Sequence, residues 1–361
     1  MAVPLFDTDT PLAPLREQLL ERIRAVIASG RYVLGPEVEA FEAELAAFLG
    51  VDHVVGVANG TDAITIALRA LELPPGAEVV VPSFTFYASA EAIVTAGARP
   101  VFCDVDHDTR NVTPDTVRRA LSPRTAAIVA VDLFGCPAPV AELRQFGLPV
   151  LEDAAQALGA SLHGRRAGAL GDVATISFYP SKNLGCFGDG GAIATSDGAV
   201  AERARALRFH GSRDKRDFQY VGYNSRLDEL QAAVLRVLLP HLDRWAQGRR
   251  AGAEAYRAAG LAEHVAVPAV PEGADPAWHL YVVTHERPDA LAAALRDAGI
   301  GARGYYRTPV HRQQAMSPLA GGVELPVTDA LARSNLALPI SPVLGVEQAR
   351  EVVDVIASAP V

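Results

Sequence analysis

Lys182 is the residue whose type and setting in this sequence most directly suggest covalent chemistry. It follows the apolar run 173–178 and precedes the glycine-dense run 188–191. A lysine ammonium is seldom buried unless it is paired or used. Partial burial lowers its pKa, so that the neutral amine can attack a carbonyl carbon. The alternative is a solvated lysine at a strand end followed by a tight hairpin, because the glycine spacing matches neither a dinucleotide fingerprint nor a Walker A loop.

Asp153 is a second candidate, at a point where a predicted strand leaves the sheet. The apolar pair 150–151 precedes it, within the segment 152–156 (Glu-Asp-Ala-Ala-Gln). A carboxylate in that position can pair with a heteroaromatic nitrogen and keep it protonated. Alternatively, Asp153 only caps the N terminus of a following helix.

Two further polar segments lie where helices are predicted to begin. Residues 59–62 (Asn-Gly-Thr-Asp) follow a strand pattern that ends at Val57. They would combine free N–H groups, the positive end of a helix dipole and a hydroxyl donor, which together suit a phosphate. Residues 222–226 (Gly-Tyr-Asn-Ser-Arg) precede a helical pattern that starts near Leu227. Simple helix capping is the alternative explanation for both segments.

The elements that must position these residues follow a regular alternation. Short apolar runs alternate with helical patterns between residues 53 and 239, and two helices with Gly30 and Gly50 as predicted C-caps precede the first run. This alternation predicts an α/β protein with a mainly parallel sheet that helices cover on both faces. Ligands of such sheets gather at the carboxyl ends of the strands.

The pattern changes near residue 240. Beyond it we predict a helix, two strands and another helix, over residues 242–259, 265–267, 279–283 and 288–298. The chain length also favours two domains over one. We therefore predict a large domain over residues 1–243 and a smaller α+β C-terminal domain over residues 244–361.

The composition argues against several classes of protein. Lys and Arg number 33 against 42 Asp and Glu, a formal net charge of −9, whereas nucleic-acid binding favours a basic face. No uncharged apolar run reaches the length of about 18 residues that predicts a membrane span, and the first 30 residues do not resemble a secretion signal. Three cysteines without a Cys-x-x-Cys pair argue against a disulfide framework or zinc ribbon. We expect a cytoplasmic protein with no metal, nucleic-acid or membrane partner.

Taken together, the polar segments resemble the DegT/DnrJ/EryC1/StrS family of sugar aminotransferases. The matching positions, in the order and spacing of the family, are residues 34–36, 59–63, 82–86, 152–157, 171–172, 182, 188–191, 222–226 and 338–339. The resemblance covers nearly the whole chain. It implies the fold of type I pyridoxal phosphate enzymes, with a three-layer α/β/α large domain like that of aspartate aminotransferase, and pyridoxal 5′-phosphate as the cofactor.

The resemblance also implies roles for individual residues. Lys182 matches the lysine that holds the cofactor covalently and then acts as a base, and Asp153 matches the partner of the pyridinium nitrogen. The other implied cofactor contacts are ring stacking by Phe86, an amide near the 3-hydroxyl from Gln156, a phosphate cup of Gly60, Thr61 and Ser177, and a phosphate contact to the neighbouring subunit from Asn224. Candidate substrate contacts are Tyr306, His311, which could instead be an ordinary surface residue, and Arg226, whose guanidinium suits a diphosphate or carboxylate.

Lysine at position 182 favours transamination, because family members with histidine there dehydrate or deoxygenate sugars. The resemblance thus implies a homodimer with shared active sites that moves an amino group from an amino acid, expected to be L-glutamate, to a nucleotide-linked keto sugar. The run 178–185 looks most like members that act at C3. A 4-keto sugar or a keto-cyclitol is an alternative substrate. A non-catalytic regulatory protein that binds pyridoxal phosphate or another ligand is the alternative from a different class.

Overall fold

The computed structural model of this protein describes residues 3–359 and contains thirteen α-helices in that range. The helices are α1 (Arg16–Ser29), α2 (Pro36–Leu49), α3 (Gly60–Ala70), α4 (Ala88–Thr95), α5 (Pro114–Ala120), α6 (Val140–Leu143), α7 (Gly198–Leu207), α8 (Glu229–Leu238), α9 (Leu242–Ala258), α10 (Pro288–Asp297), α11 (Ser317–Ala320), α12 (Pro326–Ser334) and α13 (Val346–Ser358). Gly30 and Gly50 end α1 and α2 in the left-handed conformation, with φ of 66° and 77°, which confirms the predicted C-caps. Within residues 3–359, no helix combines the length and apolarity needed to cross a membrane.

A seven-stranded sheet lies at the centre of the molecule. Seven of the twelve strands that the structure describes form this sheet. The twelve strands are β1 (His53–Val57), β2 (Glu78–Pro82), β3 (Arg99–Cys103), β4 (Thr125–Val131), β5 (Val150–Asp153), β6 (Ser161–Leu162), β7 (Arg165–Arg166), β8 (Val173–Ser177), β9 (Gly191–Thr195), β10 (Ala274–Asp275), β11 (Tyr281–Thr284) and β12 (Asn335–Leu338). The central sheet has the order β1-β9-β8-β5-β4-β2-β3, and among these described strands β9 alone runs opposite to the other six. The predicted mainly parallel α/β sheet is therefore confirmed.

Helices cover both faces of this sheet. Val55, Val57 and Ile193 pack into one apolar cluster with α3, α4 and α7, whereas Val54 and Ile176 pack into another with α1, α2 and α8. Alternate residues of a strand point to opposite faces, so one strand supplies both clusters. The arrangement is the predicted α/β/α sandwich of three layers.

The C-terminal part of the chain has its own apolar cluster. The antiparallel pair of β11 and β12 packs there with α9, α10 and α13. The predicted strand at residues 265–267 is wrong: one bridge, from Ala266 to Thr284, forms there. Pro268 follows directly and has no N–H to extend a ladder. Val3 pairs with Ile300 and so joins the start of the chain to this part, and the division between residues 243 and 244 stays a prediction.

The sheet topology brings the polar segments to one edge. Strands β1 and β8 are both antiparallel to β9, so β1 runs parallel to β8, β5, β4 and β2. Their carboxyl ends therefore meet at the same edge of the sheet. Asn59, Ser83, Asp132, Asp153 and Ser177 all lie at or just after these ends.

A buried carboxylate ties the N-terminal helices to this sandwich. Glu229, the first residue of α8, accepts hydrogen bonds from the backbone N–H groups of Gly35 (2.8 Å), Glu37 (2.9 Å) and Val38 (3.0 Å) at the start of α2. A Cβ at residue 35 would lie 2.8 Å from Oε2 of Glu229, so a larger residue there would force the end of this side chain to shift. The negative charge also suits the positive end of the helix dipole.

We expect Glu229→Ala to lower the free energy of unfolding by about 3 kcal/mol, because three buried N–H donors lose a charged acceptor. Glu229→Gln should cost less, since one acceptor oxygen remains. Urea unfolding at fixed protein concentration measures both losses. The matched control is Glu347→Ala, which breaks an exposed ion pair with Arg350 and should cost less than about 0.5 kcal/mol. A loss below about 1 kcal/mol for Glu229→Ala would contradict the proposed cap.

Candidate active site

Lys182 and Asp153 both lie at the carboxyl edge of the sheet. Asp153 is the last residue of β5, and Lys182 lies in the turn after the neighbouring strand β8, where its N–H donates to the carbonyl of Tyr179 (2.8 Å). Burial lowers the pKa of the Lys182 amine to about 8, and the negative charge of Asp153 opposes that shift. Lys182 is therefore not an ordinary solvated lysine. About a tenth of it is a neutral amine, and hence a nucleophile and base, at pH 7, and about half at pH 8.

Asp153 is buried and held by short hydrogen bonds. Its Oδ2 accepts from the Ser89 hydroxyl (2.8 Å) and its Oδ1 from the N–H of Ala155 (3.2 Å). The Ser89 hydroxyl in turn lies 3.1 Å from that of Thr85. Burial raises the pKa of Asp153, whereas these hydrogen bonds and Lys182 lower it in part. A turn rather than a helix follows Asp153, so the helix-cap interpretation does not hold. The site therefore presents a rigid, poorly hydrated carboxyl group that gains most from a cationic partner.

The start of α3 forms a cradle against the end of β8. Asn59 caps this helix by accepting from the N–H of Asp62 (2.8 Å). The N–H groups of Gly60 and Thr61 have no acceptor among residues 3–359. A Cβ at residue 60 would lie 2.7 Å from Cβ of Ser177, so only glycine lets this helix approach the Ser177 hydroxyl. Free N–H groups, the helix dipole and hydroxyls converge here, which suits an anion.

Gln156, Tyr306 and Phe86 form one wall beside this edge. The Gln156 amide accepts from the N–H of Phe134 (2.8 Å) and donates to the Tyr306 hydroxyl (3.1 Å). The Tyr306 ring lies 6.0 Å from that of Phe86, between ring centroids, and burial raises the pKa of its hydroxyl. Phe86 itself is 53% exposed, so one of its faces is free to stack on a ligand.

The structure turns His311 into the protein interior. Its Nδ1 lies 2.6 Å from the Ser83 hydroxyl, which also accepts from the His311 backbone N–H (3.0 Å). Burial lowers the pKa of this imidazole. His311 therefore joins the C-terminal part to the end of β2, and it is not the surface residue that the sequence left open. Its contact with substrate stays a prediction.

Residues 222–226 contact the chain just before the phosphate cradle. The Ser225 hydroxyl accepts from the N–H of Ala58 (3.0 Å). Helix α8 begins after Asp228, so neither Asn224 nor Ser225 caps it. Asn224 is exposed, and the Arg226 guanidinium lies 5.9 Å from the centroid of the Phe209 ring. The predicted contacts of Asn224 and Arg226 with phosphate and substrate stay predictions.

The sequence analysis did not identify two polar residues of this edge, Ser89 and His279. Ser89 lies four residues after Thr85, at the second residue of α4, and this pair of hydroxyls close in sequence was the available signal. His279 is buried, and its Nδ1 has no hydrogen-bond partner among the described residues. Burial, with Lys182 and Arg249 as further causes, holds its pKa well below the ordinary value. His279 is therefore a neutral imidazole within the electrostatic reach of Lys182.

These residues fit pyridoxal 5′-phosphate. Gly60, Thr61 and Ser177 would hold its phosphate, Phe86 its ring face, Asp153 its ring nitrogen and Lys182 its aldehyde carbon. When bound, the cofactor supplies a protonated ring that withdraws electrons from the reacting carbon. The free N–H groups at α3, the buried carboxyl group and the amine of lowered pKa are the three observations on which this fit depends.

We expect pyridoxal phosphate to react with the apoprotein at a rate that rises with pH around a midpoint near 8, because the neutral Lys182 amine is the nucleophile. Asp153→Asn should move the midpoint to lower pH, because Asp153 favours the charged amine. Stopped-flow absorbance of the bound cofactor between pH 6 and 10 measures both midpoints. Lys215→Ala is the control that should not move the midpoint. A rate that still rises about tenfold per pH unit up to pH 10, as expected for the ordinary lysine value of 10.5, would refute the assignment.

Comparisons with known proteins agree with this geometry. The DegT/DnrJ/EryC1/StrS aminotransferase family matches residues 14–357. The dTDP-3-amino-3,4,6-trideoxy-alpha-D-glucose transaminase of Streptomyces venezuelae is 46% identical over 363 residues, which cover 98% of this chain and 95% of that protein. The UDP-N-acetyl-3-dehydro-alpha-D-glucosamine 3-aminotransferase of Acidithiobacillus ferrooxidans is 42% identical over 359 residues, which cover 98% and 97%.

A solved structure, that of S. venezuelae DesV in complex with a ketimine intermediate, has the same fold. It superposes with a TM-score of 0.95 at 46% identity and covers 98% of this chain and 97% of that one. The match of the family over residues 14–357 and the identity of these relatives over almost the whole chain confirm the resemblance. The chain therefore belongs to the DegT/DnrJ/EryC1/StrS aminotransferase family.

Proposed function

We propose that this protein is a pyridoxal phosphate-dependent aminotransferase that moves an amino group from an amino acid to the keto carbon of a nucleotide-linked sugar. The observation that carries this proposal is the juxtaposition of Lys182 and Asp153, a lysine of lowered pKa and a buried carboxyl group at one edge of the sheet. The nucleotide-sugar transaminases to which the chain is similar cover nearly its full length. These relatives also favour an enzyme over a non-catalytic regulator.

The protein's own residues divide the work at this edge. Nζ of Lys182 would hold the cofactor and, as a neutral amine, would accept the proton that leaves Cα of the amino donor. The negative charge of Asp153 would face the ring nitrogen, and Ser89, which donates to Asp153, would act as a positioning residue. Phe86 and Tyr306 exclude water from one side of the ring, which strengthens these electrostatic interactions.

The C3 position is the part of the substrate that the relatives share. The S. venezuelae enzyme is named for a dTDP-linked 3-amino sugar and the A. ferrooxidans enzyme for a UDP-linked 3-dehydro sugar. Both names therefore refer to carbon 3 of the sugar, as an amine in one name and as a ketone in the other, whereas the nucleotide differs. We propose amination at C3 for this protein also. L-Glutamate as donor and a cytoplasmic location stay predictions.

We expect the enzyme with L-glutamate to aminate a nucleotide-linked 3-keto sugar at least about tenfold faster than its 4-keto isomer, a difference of about 1.4 kcal/mol in transition-state binding. Chromatography of the amino-sugar product measures both rates. Equal rates, or a preference for the 4-keto sugar or a keto-cyclitol, would refute C3 specificity. A cofactor absorbance that does not respond to any amino acid would instead support the regulatory alternative.

The sequence offers a matched control for the lysine itself, because Lys182 and Lys215 are its only two lysines. Borohydride reduction should attach the cofactor to the peptide that contains Lys182, and Lys182→Ala should abolish both attachment and amination. Lys215→Ala should keep both. Mass spectrometry of the reduced peptides identifies the site, and attachment at Lys215 would contradict the assignment.

We also propose a homodimer in which each active site uses residues of both subunits. Asn224 is exposed and its side chain has no hydrogen-bond partner among the described residues. Three aromatic residues near the site, Phe86, Tyr179 and Phe187, are 53%, 55% and 48% exposed. Exposed apolar groups of this kind are typical of surfaces that another protein chain covers. A second copy would cover them and place Asn224 next to a neighbouring phosphate.

We expect mixed dimers to recover activity when Lys182→Ala and Asn224→Ala subunits are refolded together. One site of each mixed dimer would then combine an intact Lys182 with an intact Asn224 from the other subunit. Random pairing should restore about one quarter of the wild-type sites. The baseline is the residual activity of each variant alone, and no gain above their mean would contradict a shared site.

A further inference from the structure

Three carboxyl groups crowd the ends of β4 and β5, and the proposed mechanism uses only one of them. Asp132 follows β4, while Glu152 and Asp153 end β5, and all three are buried. The N–H of Asp132 donates to the carbonyl of Asp153 (3.0 Å), so the two strand ends are joined directly. Three buried negative charges this close would repel one another at a high cost in free energy.

Glu152 has the surroundings of an ionised carboxylate. Its oxygens accept from the backbone N–H groups of Gly168 (2.6 Å), Leu170 (2.7 Å) and Gly171 (2.9 Å). Three charge-assisted hydrogen bonds of this kind favour the charged form. They also leave Glu152 as an acceptor, with no proton of its own to donate.

Asp132 has the surroundings of a protonated acid. Its Oδ1 accepts from the N–H of Ala138 (2.8 Å), whereas its Oδ2 is buried and no N–H or O–H donor among the described residues reaches it. Asp132 follows the end of β4, which pairs with β5 at Ala130–Glu152 and Val131–Asp153, so Asp132 and Glu152 lie close together. A hydrogen bond between two carboxyl groups can form only if one of them carries a proton. The free oxygen of Asp132 is the atom with room for it.

We propose that Asp132 carries a proton on Oδ2, that it donates this proton to the Glu152 carboxylate, and that the pair positions the end of β5 that presents Asp153. The pair then holds a single negative charge, and that charge lies on Glu152, where three N–H groups stabilise it. Asp132 is a positioning residue, because it acts on the site through Glu152 and the end of β5 and not on the reacting atoms.

The groups that face Asp132 favour its neutral form. Glu152 and Asp153 approach it from β5, and the Cys136 thiol from the loop after β4. Burial is the main cause that raises the pKa of Asp132 well above its ordinary value, and Glu152 and Asp153 raise it further. Arg110 carries a positive charge near Cys136, and it opposes the rise in the pKa of that thiol.

The sign of the resulting pH dependence follows from proton linkage. The folded protein keeps the proton of Asp132 above pH 3.8, the ordinary aspartate value, whereas the unfolded chain releases it. The contribution of protonated Asp132 to the free energy of unfolding is therefore lost as the pH rises. Asp132→Asn mimics the protonated acid, because its amide oxygen can accept from Ala138 and its NH2 can donate to Glu152, and asparagine does not titrate.

We expect the unfolding constant of the wild type to rise relative to that of Asp132→Asn as the pH increases above the ordinary aspartate value of 3.8, by up to about tenfold per pH unit. Urea unfolding at fixed protein and cofactor concentration measures this ratio. Asp132→Ala is the control and should be destabilised at every pH, because both partners lose their bond. A ratio that stays constant with pH, or an Asp132→Asn protein as unstable as Asp132→Ala, would overturn the proposal.

A second measurement needs no folded variant. Infrared spectroscopy of the wild type at neutral pH should show the carbonyl band of a protonated carboxyl group, and its absence would overturn the proposal. The link to Asp153 rests on the proposed function and has its own readout: the absorption spectrum of bound pyridoxal phosphate should be preserved in Asp132→Asn and altered in Asp132→Ala. If the unfolding and infrared results hold but the wild type binds no pyridoxal phosphate, the proposed function fails and the proton assignment stands. If the wild type binds it and Asp132→Asn alters its spectrum, the positioning role of Asp132 fails.

Discussion

Removal of water from around a lysine and a carboxyl group is the constraint on which this site depends. Burial alone drives both Lys182 and Asp153 toward their neutral forms, whereas their mutual attraction favours the charged forms. The balance leaves Lys182 with a pKa of about 8, low enough for the amine to act as a nucleophile and a base. A fully exposed lysine would stay protonated, and a tightly paired one would be held in place. The parallel sheet supplies the setting, because its carboxyl edge holds both groups at neighbouring strand ends.

Backbone N–H groups hold three other carboxylates of the fold. Glu229 accepts three such bonds at the start of α2, and Glu152 accepts three from the loop 168–171. Asp104, just after β3, accepts from the N–H groups of Val327 (3.0 Å) and Thr328 (2.7 Å) and so holds the start of α12. Each carboxylate joins segments far apart in the chain at a helix start or loop. The charges are thus stabilised where they also determine how the layers and the C-terminal part fit together.

Much of the fold and the position of the candidate site at the strand ends could be predicted, because they depend on local sequence. The alternation of apolar runs predicted the central sheet, and Gly30 and Gly50 predicted the helix ends. The apolar-run-then-polar pattern also identified Lys182, Asp153 and the segment 59–62, since it marks strand ends. Prediction was poorest in the C-terminal part of the chain, where the regular alternation ends. Residues 265–267 form a single bridge there instead of a strand, and β12, α12 and α13 were not predicted. Short segments such as β12 depend on partners distant in sequence, here β11.

The sequence by itself determined which residues could do chemistry, because residue type and the end of an apolar run are local properties. Only the tertiary structure decided what surrounds them. It placed Ser89, 64 residues away along the chain, on the Asp153 carboxylate, turned His311 inward onto Ser83, and set Asp132 against Glu152. Burial and hydrogen-bond partners decide whether such a group is charged, and both arise when distant strands and helices pack together. The burial and the hydrogen-bond partners of a residue therefore cannot be predicted from its neighbours in the sequence alone.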